Sequence, residues 1–192
     1  LSHRSGLPAG RQLWKTASTP AQARAQVLET SLQNAPGRVF NYSDLGPAVL
    51  GMVIERITGK TLDAFVTERV FFPLGMADTE YLPDASLKPR IAPTNATPPR
   101  GYPVHGEVDD EAAFAMGGVS GHAGLFSTAT DLSVFAQMML NGGTYNGVRI
   151  VSDTAIALFI QPVADHRALG WEVANQERGA AEYLSAKAYG HV

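Results

Sequence analysis

Apolar residues recur at helical spacing in four stretches of the chain and at strand-like spacing only towards its C-terminal end. The stretch "STPAQARAQVLETSL" predicts a helix with Thr19 as N-cap, Pro20 at its first position and a stripe through Ala23, Val27 and Leu28. In "NYSDLGPAVLGMVIERITGK" Ser43 is the expected cap, Leu45, Val49, Met52, Val53 and Ile57 form the apolar face, and Gly59 ends the helix. "TLDAFVTERVFFPLGM" repeats the plan, with Thr61 as cap, Leu62, Phe65, Val66 and Val70 inside and Pro73 as the stop. "STATDLSVFAQMMLNGG" does so through Leu132, Phe135, Met139 and Leu140, closing at Asn141 and Gly142.

Strand signals come late. "TYNGVRIVS" reads as a hairpin turning at Asn146-Gly147, and "ALGWEV" and "KAYGHV" are further strand candidates. Residues 76 to 127 read mainly as loop, rich in proline and then, in "MGGVSGHAG", in glycine. Helices first and strands last predict an α+β or α/β enzyme whose helical layer is better represented than its sheet.

Composition narrows the function. A chain of 192 residues with a formal charge of -3 and scattered lysines and arginines has no basic block for nucleic acid or an anionic membrane. No apolar run reaches the length of a membrane span. The absence of cysteine removes disulfides, thiolate metal sites and a cysteine nucleophile. A first residue Leu1 and an abrupt "AYGHV" ending read as a segment of a longer polypeptide.

The candidate chemistry gathers at the mouth of the second predicted helix. A phenol just before a helix N-terminus meets the partial positive charge of unpaired N–H groups, which lowers the cost of a phenolate. Tyr42 is therefore a candidate proton acceptor, and Asp44 faces the same side if the backbone there is extended. An ordinary half-buried tyrosine followed by a helix N-terminal acid fits the same residues. Ser120 in "GGVSGHAG" lacks the second glycine of a GxSxG elbow, His122 standing there instead, and reads as part of a glycine-rich loop edging a cleft. The acids of "HGEVDDEAAF" lack the spacing of a calcium loop and read as a solvated acidic segment. Trp14, Tyr102 and Phe114 are pocket walls or lids over the core.

"LSHRSGLP", "YSD" before a helix ending in "ITGK", "FFPLGMADTEYLP", "GGVSGHAGLFSTATDLSVFAQMMLNGG" and the terminal "YGHV" occur in the order found in a known family. Together they resemble the serine β-lactamase and penicillin-binding-protein-like family, in its class C-like branch with esterases and D-amino-acid peptidases. The resemblance implies an antiparallel sheet flanked by helices with a helical subdomain, residues 1–192 forming one such domain incomplete at both ends. It also implies a serine hydrolase that forms an acyl-enzyme on an ester, amide or lactam carbonyl, without cofactor or metal.

Of the family's three motifs, Tyr42 matches the tyrosine of YxN, with Asp44 where asparagine is usual. His191 matches the first position of the substrate-binding strand in its HTG form, with Val192 where threonine or serine is usual. These matches make Tyr42 catalytic and Asp44 and His191 substrate-binding. No serine has a lysine three residues on, so the SxxK nucleophile is expected upstream of Leu1. Asp44 replaces an amide donor by an acceptor, and His191 is a poorer anchor than lysine for a substrate carboxylate. Both weaken a β-lactamase and favour an esterase or peptidase. A catalytically silent relative binding peptidoglycan fragments or a partner, and a hydrolase domain fused to another catalytic domain, are the other readings. The expected substrate is a small molecule or peptidoglycan-like, and the expected location periplasmic or extracellular.

Overall fold

The computed structural model describes residues 1–96, 100–164, 166–174, 185 and 187–191. Helix α1 (Leu13–Thr16) precedes α2 (Pro20–Leu28), whose Thr19 side chain accepts from the Gln22 N–H as a cap should. Next comes α3 (Leu45–Thr58), ended by Gly59 in the left-handed region. Leu13, Ala23, Val27, Leu45, Ala48 and Met116 close a first core between α1, α2, α3 and the short α6 (Glu111–Ala115). Leu13, absent from any predicted stripe, has no exposed surface.

A second core is built from Phe71, Leu74, Met76, Met138, Met139 and Ile156. It unites the segment after α4 (Leu62–Val66), α7 (Ala129–Leu140) and α8 (Asp153–Ile160). Between α4 and α5 (Phe72–Leu74) the backbone widens into a π-helical turn, Thr67–Phe71, in which the Phe72 N–H reaches back to the Thr67 carbonyl. That widening lets the chain run through Pro73, whose missing N–H would break a regular helix. The stop is Gly75, at φ 71°, and not Pro73.

Strands come as three antiparallel pairs of two residues each: β1 (Glu80–Tyr81) with β2 (Leu125–Phe126), β3 (Thr144–Tyr145) with β4 (Val148–Arg149), and β5 (Glu172–Val173) with β6 (Tyr189–Gly190). The β3–β4 hairpin turns at Asn146-Gly147 as predicted, both residues having positive φ. The expected strands in "ALGWEV" and "KAYGHV" pair with each other. The loop between residues 76 and 127 contains β1, β2, α6 and a 3-10 turn, Ala85–Arg90, that periodicity did not show.

Two predicted caps fail. The buried Ser43 hydroxyl donates to the Pro8 carbonyl at 2.6 Å, leaving Asp44 at the cap position with no side-chain bond to the helix, and Thr61 makes no capping bond either. Several predicted inward residues face outward: Leu28, Val53, Leu132, Leu140 and, at 79% exposure, Ile57. Among the described residues no helix is long and apolar enough to cross a membrane.

Candidate active site

Tyr42 is aimed by its neighbours. The Asn41 amide donates to the Leu7 carbonyl at 2.9 Å and Ser43 to Pro8, while the Asn41 and Asp44 N–H groups donate to the His3 and Ala9 carbonyls. With residues 41 and 43 both fastened to the 3–9 segment, Tyr42 is held beside it, its ring stacked on His3 with centroids 4.2 Å apart and the Arg167 guanidinium 5.5 Å from the ring centre. The His3 ring is fixed in turn, because its Nδ1 accepts the Ser43 N–H at 3.0 Å.

His191 arrives from the other end of the chain. Its Nε2 lies 3.3 Å from the Tyr42 hydroxyl, a contact across 149 residues. Asp44 adopts a helical conformation, φ -71° and ψ -25°, instead of continuing the extended strand. Its charge nonetheless bears on Tyr42, and that of His191 bears on Asp44. Of the three residues expected at the site, Tyr42 and His191 are in contact and Asp44 stands at the helix mouth two positions after Tyr42. Val192 lies outside the described residues.

The electrostatics correct one expectation. Burial, and then the Asp44 carboxylate, push the Tyr42 phenol above its ordinary value, with Arg167 opposing them. Burial is the largest of these causes, and the Asp44 carboxylate at the helix mouth adds to it. Asp44 is itself held above the usual carboxylate range by burial and by Asp110, against His122 and His191. His3 is lowered by burial and by Arg167, so it is neutral at pH 7.

The glycine-rich loop packs onto the same helix. Gly121 sits so close to α3 that a Cβ there would lie 2.0 Å from the Pro47 carbonyl oxygen, and one on Gly51 would lie 3.2 Å from the Gly121 nitrogen. Ser120 is 3% exposed, and its Oγ is 2.7 Å from His122 Nδ1. His122 Nε2 is 2.9 Å from Asp110 Oδ1, and the same oxygen accepts the Ala113 N–H that starts α6. The Tyr81 hydroxyl, pushed up to about 12 by burial, donates to the Ser120 carbonyl. On its outer side the loop borders a cleft of about 940 Å³ walled by residues that include Tyr81, Arg90, Asp110, Ser120 and His122. Tyr42, Asp44 and His191 do not line that cleft; Asp110 and His122 connect the two places through their fields on Asp44.

The remaining candidates have ordinary employment. Glu107 accepts from Tyr102, Asp109 from Thr94, and Asp110 from His122. Among the described residues no group of three or more potential ligands is placed to hold a metal ion. Phe114 carries the Arg100 guanidinium on its ring, 4.5 Å from its centre. Trp14, Tyr102 and Phe114 are absent from the walls of the 940 Å³ cleft. Sequence reasoning did not single out His3, although it lies within "LSHRSGLP", or Arg167, a lone arginine in an irregular segment.

The family model described as Beta-lactamase matches residues 1–192. The chain belongs to the beta-lactamase family. It is 36% identical over 217 aligned positions to an Escherichia coli K12 protein named "Putative D-alanyl-D-alanine carboxypeptidase", the match taking in 100% of this chain and 50% of the relative. It is 34% identical to the N-acetylmuramyl-L-alanine amidase of Bacillus subtilis strain 168, over 100% of this chain and 49% of that one. The chain thus spans about half the length of the curated relatives it matches. A penicillin-binding protein homologue from Caulobacter crescentus superposes with a TM-score of 0.68 at 18% identity, covering 99% of this chain and 57% of its own. The D-amino acid amidase of Ochrobactrum anthropi SV3 does so with 0.62 at 23%, covering 90% and 52%. These likenesses establish the fold as that of β-lactamases and penicillin-binding proteins, seen here as helices with small antiparallel strand pairs.

Proposed function

We propose that this chain is the tyrosine-bearing portion of a serine hydrolase that acts through an acyl-enzyme on an ester, amide or lactam carbonyl. The observation that carries the reading is the meeting of Tyr42 and His191, 3.3 Å apart across 149 residues, at the two motif positions present in this chain. The domain is completed by segments outside residues 1–192, among them an SxxK supplying the serine and lysine. Outward-facing Ile57, Phe72 and Leu140, each more than two-thirds exposed, support further packing partners of that kind.

The serine oxygen attacks the carbonyl as its proton passes to the pair formed by the lysine and Tyr42. That proton is then delivered to the leaving group, and water resolves the ester formed on the enzyme. Tyr42 can serve as acceptor only if a cation offsets burial and Asp44. Arg167 begins that compensation, and the lysine ammonium completes it. His191 keeps the phenol in place, donating Nε2–H to its oxygen when the phenol is ionised. Arg167 beside the same ring is itself paired with Glu172, 3.7 Å away, which holds its charge at the phenol. The names of the relatives point to D-amino-acid peptides or muramyl peptides as the substrate class, and to a periplasmic or extracellular location.

The test is covalent labelling of the full-length parent with a fluorescent penicillin and with a fluorophosphonate, followed by sequencing of the labelled peptide. The expected result is label on the serine of an upstream SxxK. A folded full-length protein that takes neither label overturns the hydrolase and favours a silent, fragment-binding relative.

A further inference from the structure

Ser120, His122 and Asp110 have the appearance of a second catalytic triad, but the geometry argues for another role. The Ser120 hydroxyl is buried, held between His122 Nδ1 at 2.7 Å and the Met116 sulfur at 3.9 Å, and Met116 belongs to the first core. A nucleophile needs a carbonyl within about 3–3.5 Å, and Ser120, although it borders the cleft, is only 3% exposed, with its oxygen engaged by His122. The hydroxyl is the inner end of a brace.

The polarity of the brace follows from its acid. Burial raises the Asp110 carboxyl, but the hydrogen bonds from His122 and the Ala113 N–H outweigh it and hold the group below the usual carboxylate range. An ionised carboxylate can only accept. Nε2 of His122 therefore carries a proton toward Asp110, and in the neutral imidazole Nδ1 accepts from the Ser120 hydroxyl. Every bond runs one way, from Ser120 through His122 to Asp110. Asp110 at the same time caps α6, and Gly121, between Ser120 and His122, lies directly on the Pro47 carbonyl and on Gly51 of α3. The brace thus ties α6, the glycine loop and the first turns of α3 into one unit, with the His122 side chain only 5% exposed.

We infer that His122 is the positioning residue of the Tyr42 site: through Asp110 and Ser120 it pins the glycine loop against α3 and so fixes Asp44 at the helix mouth. This rests on the reading of Tyr42 as proton acceptor. Asp44 is faced by Tyr42 from its own segment, by His122 and Asp110 from the loop side and by His191 from the C-terminal strand. A displacement of the loop alters the charge that Tyr42 experiences without touching Tyr42.

The experiment uses the full-length parent with 15N-labelled histidine. The expected spectrum has His122 protonated on Nε2 and bare on Nδ1; an Nδ1–H tautomer overturns the brace. Asp110→Asn removes a charge that raises Asp44, so the Asp44 carboxyl, followed by 13C NMR, is expected to titrate lower; an unmoved titration overturns the link. In acylation by penicillin, His122→Leu is expected to lower the first-order acylation constant about tenfold or more while the dissociation constant of the probe changes less than about threefold. Gln, whose carbonyl and amide can accept from Ser120 and donate to Asp110, is expected to restore the rate to within about threefold. Equal rates in wild type and His122→Leu, or a Gln variant no better than Leu, overturn the positioning role. If the wild-type parent is not acylated, the hydrolase reading fails, and the tautomer and the Asp44 titration still decide whether the brace exists and bears on Asp44.

Discussion

Replacing Tyr42 by phenylalanine separates the chemistry of the phenol from its packing. The ring's contacts do not involve the oxygen: His3 stacks at 4.2 Å and Arg167 lies 5.5 Å from the centroid, and both serve phenylalanine as well as tyrosine. The hydroxyl makes one described hydrogen bond, to His191 at 3.3 Å, near the long limit, and the residue is 40% exposed. Its loss is expected to cost less than about 1 kcal/mol of stability, since a typical intramolecular hydrogen bond contributes about 1 kcal/mol net and this one is long and wet. A positioned general base contributes about 10²–10⁴ in rate, or roughly 2.7–5.5 kcal/mol of barrier. The variant of the full-length parent is therefore expected to melt within a few degrees of wild type and to acylate at least about a hundredfold more slowly. Stopped-flow acylation by a fluorescent penicillin, with thermal unfolding on the same samples, gives both numbers. Acylation within about threefold of wild type would refute Tyr42 as the proton acceptor, because no packing loss is available to mask the effect.

Asp44→Asn is expected to raise the melting temperature at pH 7. The folded carboxyl lies above its ordinary 3.8, so ionising it costs the folded state; that penalty is absent below 3.8 and complete above the raised folded value. The advantage of the variant should accordingly vanish on acidification, while Asp110, whose lowered value makes stability fall as pH falls, acts in both proteins and cancels; a pH-independent difference would remove the argument. Gly121→Ala must displace either the loop or the Pro47 carbonyl and is expected to cost about 1–3 kcal/mol in denaturant unfolding. Gly51→Ala, where the nearest atoms are at 3.1–3.4 Å, gains about 1 kcal/mol of helix propensity against a milder clash and should change stability by less than Gly121→Ala. Leu13→Ala empties a position with no exposed surface and is expected to cost about 2–5 kcal/mol; a loss under 1 kcal/mol would show that the first core does not depend on α1.

Helices α2, α3 and α7 were legible because a stripe of apolar residues and a terminal glycine, asparagine or capping threonine are local signals. The hairpin at Asn146-Gly147 was legible for the same reason: positive φ at two successive residues selects that dipeptide. What local signals cannot show is which apolar face has a partner. Ile57 and Leu140 continue perfect stripes yet face outward, because burial is decided by what stands opposite. Ser43 has the identity of a cap, but a carbonyl 35 residues away in sequence competes for its hydroxyl and wins. α1 and the π-helical turn were hidden because four- and five-residue pieces hold little more than one turn, too short for an apolar stripe to repeat.

The site divides along the same line. Tyr42 and His191 were reachable through motif order, which needs no geometry, but the charge environment that decides whether Tyr42 can accept a proton was not. A helix N-terminus alone favours the phenolate, but burial of the phenol, and then the Asp44 carboxylate in the same triplet, disfavour it. The compensating cation comes from Arg167, in a segment with no motif, and on the present reading from a lysine outside this chain. On that reading the base, the acid beside it and the cations of one proton transfer are drawn from three separate stretches of polypeptide. A piece containing two of them folds the phenol into position while leaving it protonated. Tyr42 is therefore expected to become a base only when the lysine-bearing segment is present, and its titration should fall when that segment is joined to this chain.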